Sequence, residues 1–317
     1  MDRKAKYIEF CEKHYVPLMF RPWWLDAVCP NEWDVCVSFD KGGAVTGVLV
    51  YHLTRYKGFP IIKMPPLTDY SGPWLQYPDN LDKLTSRYGF EKEVFTKLIK
   101  QLPTNAFFYH QWGPFIQNWL PFYWQEFRQT TLYTFRLNLT NEIDLFKNLK
   151  RTARKNIRRA LQTIQVETSD DLDELYNIAT LSFERQQIRP TYSFDTFYRL
   201  DQNLKERNLR TIYLARDSVD RIHAGAYLVW DEKCAYYLVS GGDPALRESQ
   251  AQYLIQWHAI LDCLGRTEFF DFCGSTLEPV ERALRTFGGE LMPHFKVFKA
   301  KNKVLQMLSI LLNKDFY

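Results

Sequence analysis

The alternation of apolar and polar positions predicts strands and helices in both halves of the chain. In the first half, five segments rich in β-branched and aromatic residues are predicted to be strands: 34–39, 45–54, 59–64, 105–110 and 132–139. The Lys41, Gly42, Gly43 tripeptide between the first two is typical of a hairpin. Residues 90–102 have helical periodicity, whereas the proline- and aromatic-rich stretch 112–127 is typical of a loop.

The second half begins near residue 141 and repeats the mixed order. Its predicted helices include 142–163, 193–207, 249–264 and 278–287. A further helix is predicted to follow the capping box at 168–171 and to end near residue 187. Its predicted strands are 164–168, 210–216, 221–230, 234–240, 268–272 and 294–299. We therefore expect an α+β protein with domains at 1–140 and 141–317, and we expect the functional site in the cleft between them.

Composition agrees with a soluble globular protein. The chain has 317 residues, of which 46% are hydrophobic and 25% charged, and this excludes a disordered chain. No apolar run approaches the ~20 residues of a spanning helix, and the first ten residues lack a secretory signal. The six cysteines show no metal-binding spacing, so we expect free thiols in the cytoplasm.

The net charge of +4 comes from one short segment. Residues 147–159 hold seven bases and no acid, namely Lys147, Lys150, Arg151, Arg154, Lys155, Arg158 and Arg159. Without them the chain has 34 basic and 37 acidic residues. Helical spacing places all seven on one broad face, opposite Leu149, Ala153, Ile157, Ala160, Leu161 and Ile164. This face could bind a nucleotide diphosphate, a tRNA backbone or anionic lipid headgroups, or it could be an ordinary solvated surface.

Three further segments could carry chemistry. The turn 240–244 contains Gly241 and Gly242, which could cradle a phosphate or simply provide positive φ angles. Asp271 ends an apolar strand, where a carboxylate needs either an ion pair with Arg282 or Arg285, or a functional role. The segment 65–74 is a rigid, proline-rich loop with Asp, Tyr and Trp, typical of a surface that recognises sugars or bases.

Three of these segments together resemble the FemAB-like acyltransferases of the GNAT superfamily, which include peptidoglycan bridge aminoacyltransferases and polysaccharide acetyltransferases. The segments are LKRTARKNIRRAL at 149–161, FFDFCGS at 269–275 and RALRTFGG at 282–289. The loop PPLTDYSGPWL and the aromatic first half also resemble this group. The resemblance implies two tandem GNAT-like domains with mixed central sheets, and transfer of an acyl or aminoacyl group to an amine of a cell-envelope precursor.

Amine acyl transfer needs a neutral amine, a donor carbonyl held near it and donors to the developing oxyanion, and for this chemistry we hypothesise roles for particular residues. Arg154 and Arg158 are expected to hold phosphates of a nucleotide-linked or lipid-linked precursor. Asp69, Tyr70 and Tyr237 are expected to orient the acceptor. Asp271, Ser275 and Arg285 are expected to line the catalytic site. No metal is expected, and the co-substrate is left open between acyl-CoA and aminoacyl-tRNA.

The chain departs from the family pattern at two places. A coenzyme A-dependent GNAT carries Arg/Gln-x-x-Gly-x-Gly/Ala, but residues 247–251 contain no glycine. The aminoacyltransferases tend to carry a lysine in Phe-Lys-x-x-Phe-Gly, where Arg285 is the nearest cation of this chain. The alternative hypothesis is an inactive GNAT-like binding module that docks on anionic lipid or nucleic acid through its basic helix. Under either hypothesis the protein could contact the inner face of the membrane peripherally, and tRNA is a further candidate partner.

Overall fold

The computed structural model describes residues 2–79, 81–185, 190–274 and 277–301. The chain divides into two compact units, one comprising residues 1–132 with 293–317 and the other residues 133–292. Each unit combines a mixed β-sheet with packed helices, which confirms the predicted α+β class. Among the described residues, no helix has both the length and the apolar character needed to cross a membrane.

The first unit is built on a sheet ordered β1-β2-β3-β5-β12, with a further short strand, β4, paired to β2. Its strands are Trp33–Phe39 (β1), Val45–Tyr56 (β2), Phe59–Lys63 (β3), Gly72–Leu75 (β4) and Phe107–Gln111 (β5). The strands Arg128–Asn138 (β6) and Glu290–Ala300 (β12) each run across a boundary between the units. Neighbouring strands are antiparallel except β3 and β5. The helices are Arg3–Lys13 (α1), Pro22–Val28 (α2), Leu84–Gln101 (α3) and Leu120–Tyr123 (α4).

Helix α3 covers the sheet of the first unit. Its residues Val94, Phe95 and Leu98 are buried in a cluster that includes Phe108 of β5 and the fully buried Trp112. Each such side chain contributes about 1.5–3 kcal/mol by leaving water, and the aromatic rings dominate this core. The hairpin of β1 and β2 is confirmed. Helix α1 was not predicted, because its charged residues hide the apolar periodicity, and its N-terminus is capped by the Asp2 carboxylate.

The second unit is built on a sheet ordered β6-β11-β10-β9-β8-β7. Its further strands are Ile164–Ser169 (β7), Arg210–Asp217 (β8), Ile222–Trp230 (β9), Cys234–Gly242 (β10) and Phe269–Asp271 (β11). Its helices are Glu142–Asn148 (α5), Arg151–Ala160 (α6), Leu172–Arg185 (α7), Phe194–Glu206 (α8), Ala251–Asp262 (α9) and Glu278–Leu284 (α10). Strands β10 and β11 are parallel, and the other described pairs are antiparallel.

The predicted helix at 142–163 is wrong in one respect, because the structure has two helices there. Leu149 and Lys150 have extended backbone between α5 and α6. Leu149 is buried, and the Lys150 amide donates a hydrogen bond of 2.8 Å to the Thr286 carbonyl. A tertiary contact thus replaces the intrahelical hydrogen bond at the break, and helical periodicity across the break could not reveal it.

The compact units differ from the proposed domains at 1–140 and 141–317. The first boundary lies between residues 132 and 133, inside β6. The second difference is that residues 293–301 belong to the first unit. Strand β12 pairs antiparallel with β5 from Lys296↔Gln111 to Ala300↔Phe107, which ties this part of the chain to the first unit. Long-range pairing of this kind leaves no local signal in the sequence.

Candidate functional site

The basic surface lies on α6, which carries five of the seven bases. Lys147 belongs to α5, and Lys150 is the residue that precedes α6, so the expected single face of seven bases is wrong. Leu161 is 62% exposed, although it was expected on the apolar face. The other five apolar positions of that face are buried as predicted: Leu149, Ala153, Ile157, Ala160 and Ile164.

The predicted phosphate-binding residues have different surroundings. Arg154 is half-buried and Arg158 is exposed, with its guanidinium 5.8 Å from the centre of the Phe146 ring. Neither forms an ion pair with an acid in the part of the chain that the structure describes, whereas Arg159 lies 3.9 Å from Glu248. Two guanidinium groups without carboxylate partners keep their donors available for an anion.

The segments that resemble the FemAB-like proteins meet near the start of α6. The Thr286 carbonyl accepts from Lys150, as described above. Gly288 has φ +79°, and a Cβ there would lie 2.7 Å from the Asn148 carbonyl oxygen. Gly289 packs against the backbone of Arg136, where a Cβ would lie 3.1 Å from the carbonyl oxygen. The two glycines therefore serve close backbone packing between the α10 end, the α5–α6 break and β6.

Asp271 is the buried polar centre of this region. It is 0% exposed at the end of β11, and its Oδ1 accepts from the Thr134 hydroxyl at 2.6 Å and the Cys273 amide at 2.8 Å. Its Oδ2 accepts from Arg136 Nη2 at 3.1 Å. The expected pairing with Arg282 or Arg285 is wrong, because these two pair with acids of their own helical turn, Glu278 and Glu281.

Arg136 and Thr134 are functional candidates that the sequence did not reveal. Both lie on β6, which pairs antiparallel with β11 so that Arg136 is directly opposite Asp271. More than 130 residues separate the partners along the chain. A strand alternation can show that such a residue faces inward, but it cannot show which acid it meets.

Strands β10 and β11 part just after Asp271. Their parallel pairing ends at Tyr236↔Asp271, whereas β10 continues to Gly242. On its other side, the pairing of β10 with β9 shifts register between Tyr237 and Val239, which is the mark of a β-bulge. The β10 edge beyond Tyr236 thus has no strand partner in the described pairings, and its amide groups can face a ligand.

Tyr237 stands at this divergence. It is 5% exposed, with its ring 6.1 Å from that of Phe270. Its hydroxyl is buried without a hydrogen-bond partner among the residues that the structure describes. Burial raises the pKa of Tyr237 well above its usual range, and nearby Ser240 opposes this shift. The hydroxyl therefore stays protonated and could donate to a bound ligand.

Gly241 and Gly242 belong to β10 rather than to the predicted turn. Neither has a positive φ, so the expectation of a turn that needs such angles is wrong. A Cβ on Gly241 would lie 2.4 Å from the Cα of Ala179 in α7. The glycine is required because the helix backbone passes directly over the strand.

Asp69 and Tyr70 belong to the first unit. Tyr70 is 3% exposed, and its ring meets that of His294 edge-on at 5.3 Å. Asp69 is half-buried, and its carbonyl accepts from Gln111 Nε2 at 3.3 Å. The predicted recognition loop ends in β4, so its Gly72–Leu75 part is a strand. Ser275 lies outside the described residues.

The turn before α9 keeps a glycine-like conformation without a glycine. Gln250 has φ +63° and occupies the position at which the coenzyme A-binding pattern has its first glycine. A short 3₁₀ turn at Arg247–Ser249 precedes it, and the first amides of α9 follow. The left-handed backbone is thus present, which keeps this helix start suited to an anion. Within the described residues, no group of His, Cys, Asp and Glu is placed to hold a metal ion.

Comparisons with known proteins agree with this geometry. Residues 146–279 match the model of the acetyltransferase (GNAT) domain, a segment that runs from α5 through the divergence of β10 and β11 to the start of α10. No curated protein sequence matches the chain. The match therefore covers the second unit's core elements, and the rest of the chain is compared through its fold.

Several solved structures share the fold over nearly the whole chain. FemX superposes with a TM-score of 0.65 at 12% identity, covering 97% of this chain and 98% of its own. The C-terminal domain of a putative lysylphosphatidylglycerol synthetase from Agrobacterium fabrum gives 0.55 at 16% identity, covering 98% and 94%. L-PGS from Bacillus licheniformis gives 0.53 at 12% identity, covering 99% and 96%. Residues 146–279 thus match a GNAT domain, and the chain as a whole shares its fold with FemX.

Proposed function

We propose that the protein transfers an acyl or aminoacyl group to an amine of a cell-envelope precursor, of the peptidoglycan or polysaccharide type. The observation that carries the proposal is the divergence of β10 and β11 inside the segment that matches the GNAT domain. The fold shared with FemX and with proteins named for lysylphosphatidylglycerol synthesis supports an envelope substrate.

The chemistry needs few specialised side chains. A neutral amine attacks the donor carbonyl, a tetrahedral intermediate forms with negative charge on oxygen, and the carrier leaves as thiol or hydroxyl. The free β10 edge beyond Tyr236 supplies backbone amides that can stabilise this oxygen. Such donors are worth about 2.7–4 kcal/mol each in comparable sites. Holding amine and carbonyl together supplies much of the remaining acceleration.

The side chains divide between binding and positioning in this proposal. Arg154 and Arg158 hold phosphates of the precursor, and Tyr237 donates to the acceptor. Asp271 acts as a positioning residue, because three donors already occupy its carboxylate and it is 0% exposed. Arg285 is 59% exposed and remains a candidate for the transfer site. Asp69 and Tyr70 remain candidates for orienting the acceptor.

The direct test measures product mass. The purified chain is incubated with a lysine-containing nucleotide-linked muropeptide, or its lipid-linked form, and with acetyl-CoA or aminoacyl-tRNA as donor. We expect a mass gain of one acyl or aminoacyl group on the acceptor with one of these donors. No mass gain with any pairing would contradict the proposal, and the donor that works would decide between acyl-CoA and aminoacyl-tRNA.

The arginine assignment has its own test. Replacing Arg154 and Arg158 by alanine removes two charge-assisted phosphate contacts worth about 1.5–3 kcal/mol each, so the KM for the precursor should rise at least tenfold with kcat little changed. Arg282→Ala is the control, because it removes an exposed guanidinium from α10. An unchanged KM for every precursor, with loss of binding to anionic vesicles instead, would support the docking module.

Tyr237→Phe separates a binding role from a structural one. The variant removes only the hydroxyl, which has no partner among the described atoms, so stability should stay the same or rise slightly. If the hydroxyl donates to the acceptor, kcat/KM should fall about tenfold. Equal kcat/KM in wild type and variant would remove Tyr237 from the site.

A further inference from the structure

The first unit contains a pocket that the proposed transfer chemistry does not use. It has a volume of about 260 Å³ and lies between the N-terminal half of α3, the end of β4 and the loop before α4. Its lining includes the apolar side chains Leu75, Phe95 and Phe115, and also Tyr88, which is 54% exposed. The volume is just below the ~300–1,000 Å³ of pockets that hold drug-sized ligands, so a smaller ligand fits.

A fixed polar network forms the other wall. Glu91 is 4% exposed, and its Oε1 accepts from the Tyr77 hydroxyl at 2.7 Å and from Arg87 Nε at 3.2 Å. Its Oε2 accepts from Asn118 Nδ2 at 2.7 Å. The Arg87 guanidinium also lies over the Tyr77 ring, 4.4 Å from its centre. Burial and the bond to Glu91 raise the pKa of Tyr77 to about 12, so its hydroxyl remains a donor.

Stability alone does not explain this network. A buried ion pair is often no better than a well-packed apolar pair of similar size. The order of the pair on α3 is also the weaker one, because the arginine precedes the glutamate by four residues. What the network does provide is a set of partners that orient the Arg87 guanidinium. Arg87 is held by Glu91 and Tyr77, its side chain is 46% exposed, and it lines the pocket.

The chemistry of the walls defines the ligand class. Arg87 and Glu91 neutralise each other, so the pocket offers no net charge to attract an anion or a cation. It does offer donors on Arg87 and Asn118, acceptors on Glu91 and Gln117, and aromatic faces on Tyr88 and Phe115. A neutral ring with hydroxyl groups on its edge and C–H groups on its face satisfies both kinds of wall.

We propose that this pocket binds a neutral monosaccharide unit. One sugar ring stacks on the exposed Tyr88 and places its hydroxyls against Arg87 and Asn118. The pocket lies in the first unit and the proposed transfer site in the second, and the sugar ring belongs to a substrate or to a separate glycan. A ligand of this size bound in a half-open pocket has a dissociation constant of roughly 1 mM.

The test is ligand-observed NMR on the full chain with N-acetylglucosamine and methyl glucoside as probes. We expect saturation transfer to the sugar ring protons, with a dissociation constant of roughly 1 mM. Tyr88→Ala should weaken binding at least fivefold, and Arg87→Lys should do the same because lysine cannot keep the planar donor arrangement. Tyr56→Ala is the matched control, since Tyr56 is 51% exposed at the far end of β2 and lines no part of the pocket.

The outcomes separate this proposal from the proposed function. Binding lost in the two pocket variants but kept in the control supports the sugar site, whether or not the chain transfers acyl groups. No saturation transfer from either sugar overturns it. If benzoate binds, the sugars do not, and Arg87→Lys abolishes the binding of benzoate, the sugar proposal is overturned and the pocket is assigned to carboxylates. Equal binding in all variants means that the sugars bind elsewhere, which overturns it as well.

Discussion

Replacing Asp271 tests whether the buried carboxylate holds the second unit together. In Asp271→Ala, three donors lose their common acceptor, namely the Thr134 hydroxyl, the Cys273 amide and the Arg136 guanidinium. The Arg136 side chain is only 19% exposed, so its charge cannot be fully rehydrated without local opening. Asp271→Asn keeps an oxygen for Thr134 and Cys273 but turns an amide donor toward Arg136.

The size of the effect follows from this geometry. Removing one partner of a buried ion pair costs about 3–5 kcal/mol, because the remaining charge is left buried and uncompensated. For Asp271→Asn we expect about 1.5–3 kcal/mol, the usual value of a hydrogen bond to a charged group. Arg282→Ala, which breaks an exposed pair with Glu278, should cost less than about 1 kcal/mol and is the control.

Hydrogen exchange measured by mass spectrometry reports the effect where it occurs. Tryptophan emission is less suitable, because only Trp230 and Trp257 lie in the second unit. Peptides that contain β11 should exchange roughly a hundredfold to several thousandfold faster in Asp271→Ala, since every 1.4 kcal/mol is a factor of ten. Peptides from β1 and β2 in the first unit should exchange at the wild-type rate.

Two results would refute the structural role of Asp271. One is a change below about 1 kcal/mol in Asp271→Ala, comparable with the exposed control. The other is unchanged exchange in β11 together with complete loss of acyl transfer, which would make the carboxylate a catalytic group. If Asp271→Asn were as unstable as Asp271→Ala, the hydrogen bonds that Oδ1 accepts from Thr134 and Cys273 would contribute nothing. That result would contradict these two contacts but not the ion pair with Arg136.

Three further predictions concern backbone conformation and pH. Burial lowers the pKa of His110 to about 3, so as the pH falls below 6.5 the unfolded chain takes up a proton that the folded chain does not. The stability of the first unit should therefore fall by about 1.4 kcal/mol per pH unit below 6.5. His110→Phe should reduce this slope in urea titrations. Gly241→Ala should cost about 1–3 kcal/mol in thermal unfolding, because its Cβ would meet the backbone of Ala179. Gly89→Ala in α3, with nothing within 4 Å, should stabilise by about 1 kcal/mol, and equal effects of the two variants would refute the packing argument. Gln250→Gly relieves a left-handed backbone and should stabilise the protein by up to about 1 kcal/mol in the same assay. An unchanged stability would mean that Gln250 is not strained.

Local signals in the sequence were enough for most elements. The hairpin of β1 and β2, the strands β8 to β10 and the Ser193 cap of α8 follow from alternation, turn residues and capping, which act within a few residues. The apolar side of α6 follows in the same way. The family resemblance rested on segments that the structure brings together near Asn148 and Thr286, and it led to the correct fold.

The sequence by itself determined the class of fold, the buried side of the basic helix and the absence of acids around it. Only the tertiary structure decided which residues meet across the chain. Asp271 pairs with Arg136 rather than with an arginine eleven or fourteen positions away, and Gly241 is needed because α7 crosses it. The break between α5 and α6 depends on the carbonyl of Thr286. The physical reason is common to all three: each partner lies far along the chain, and strand pairing or backbone packing brings it close without leaving a periodic signal at either position.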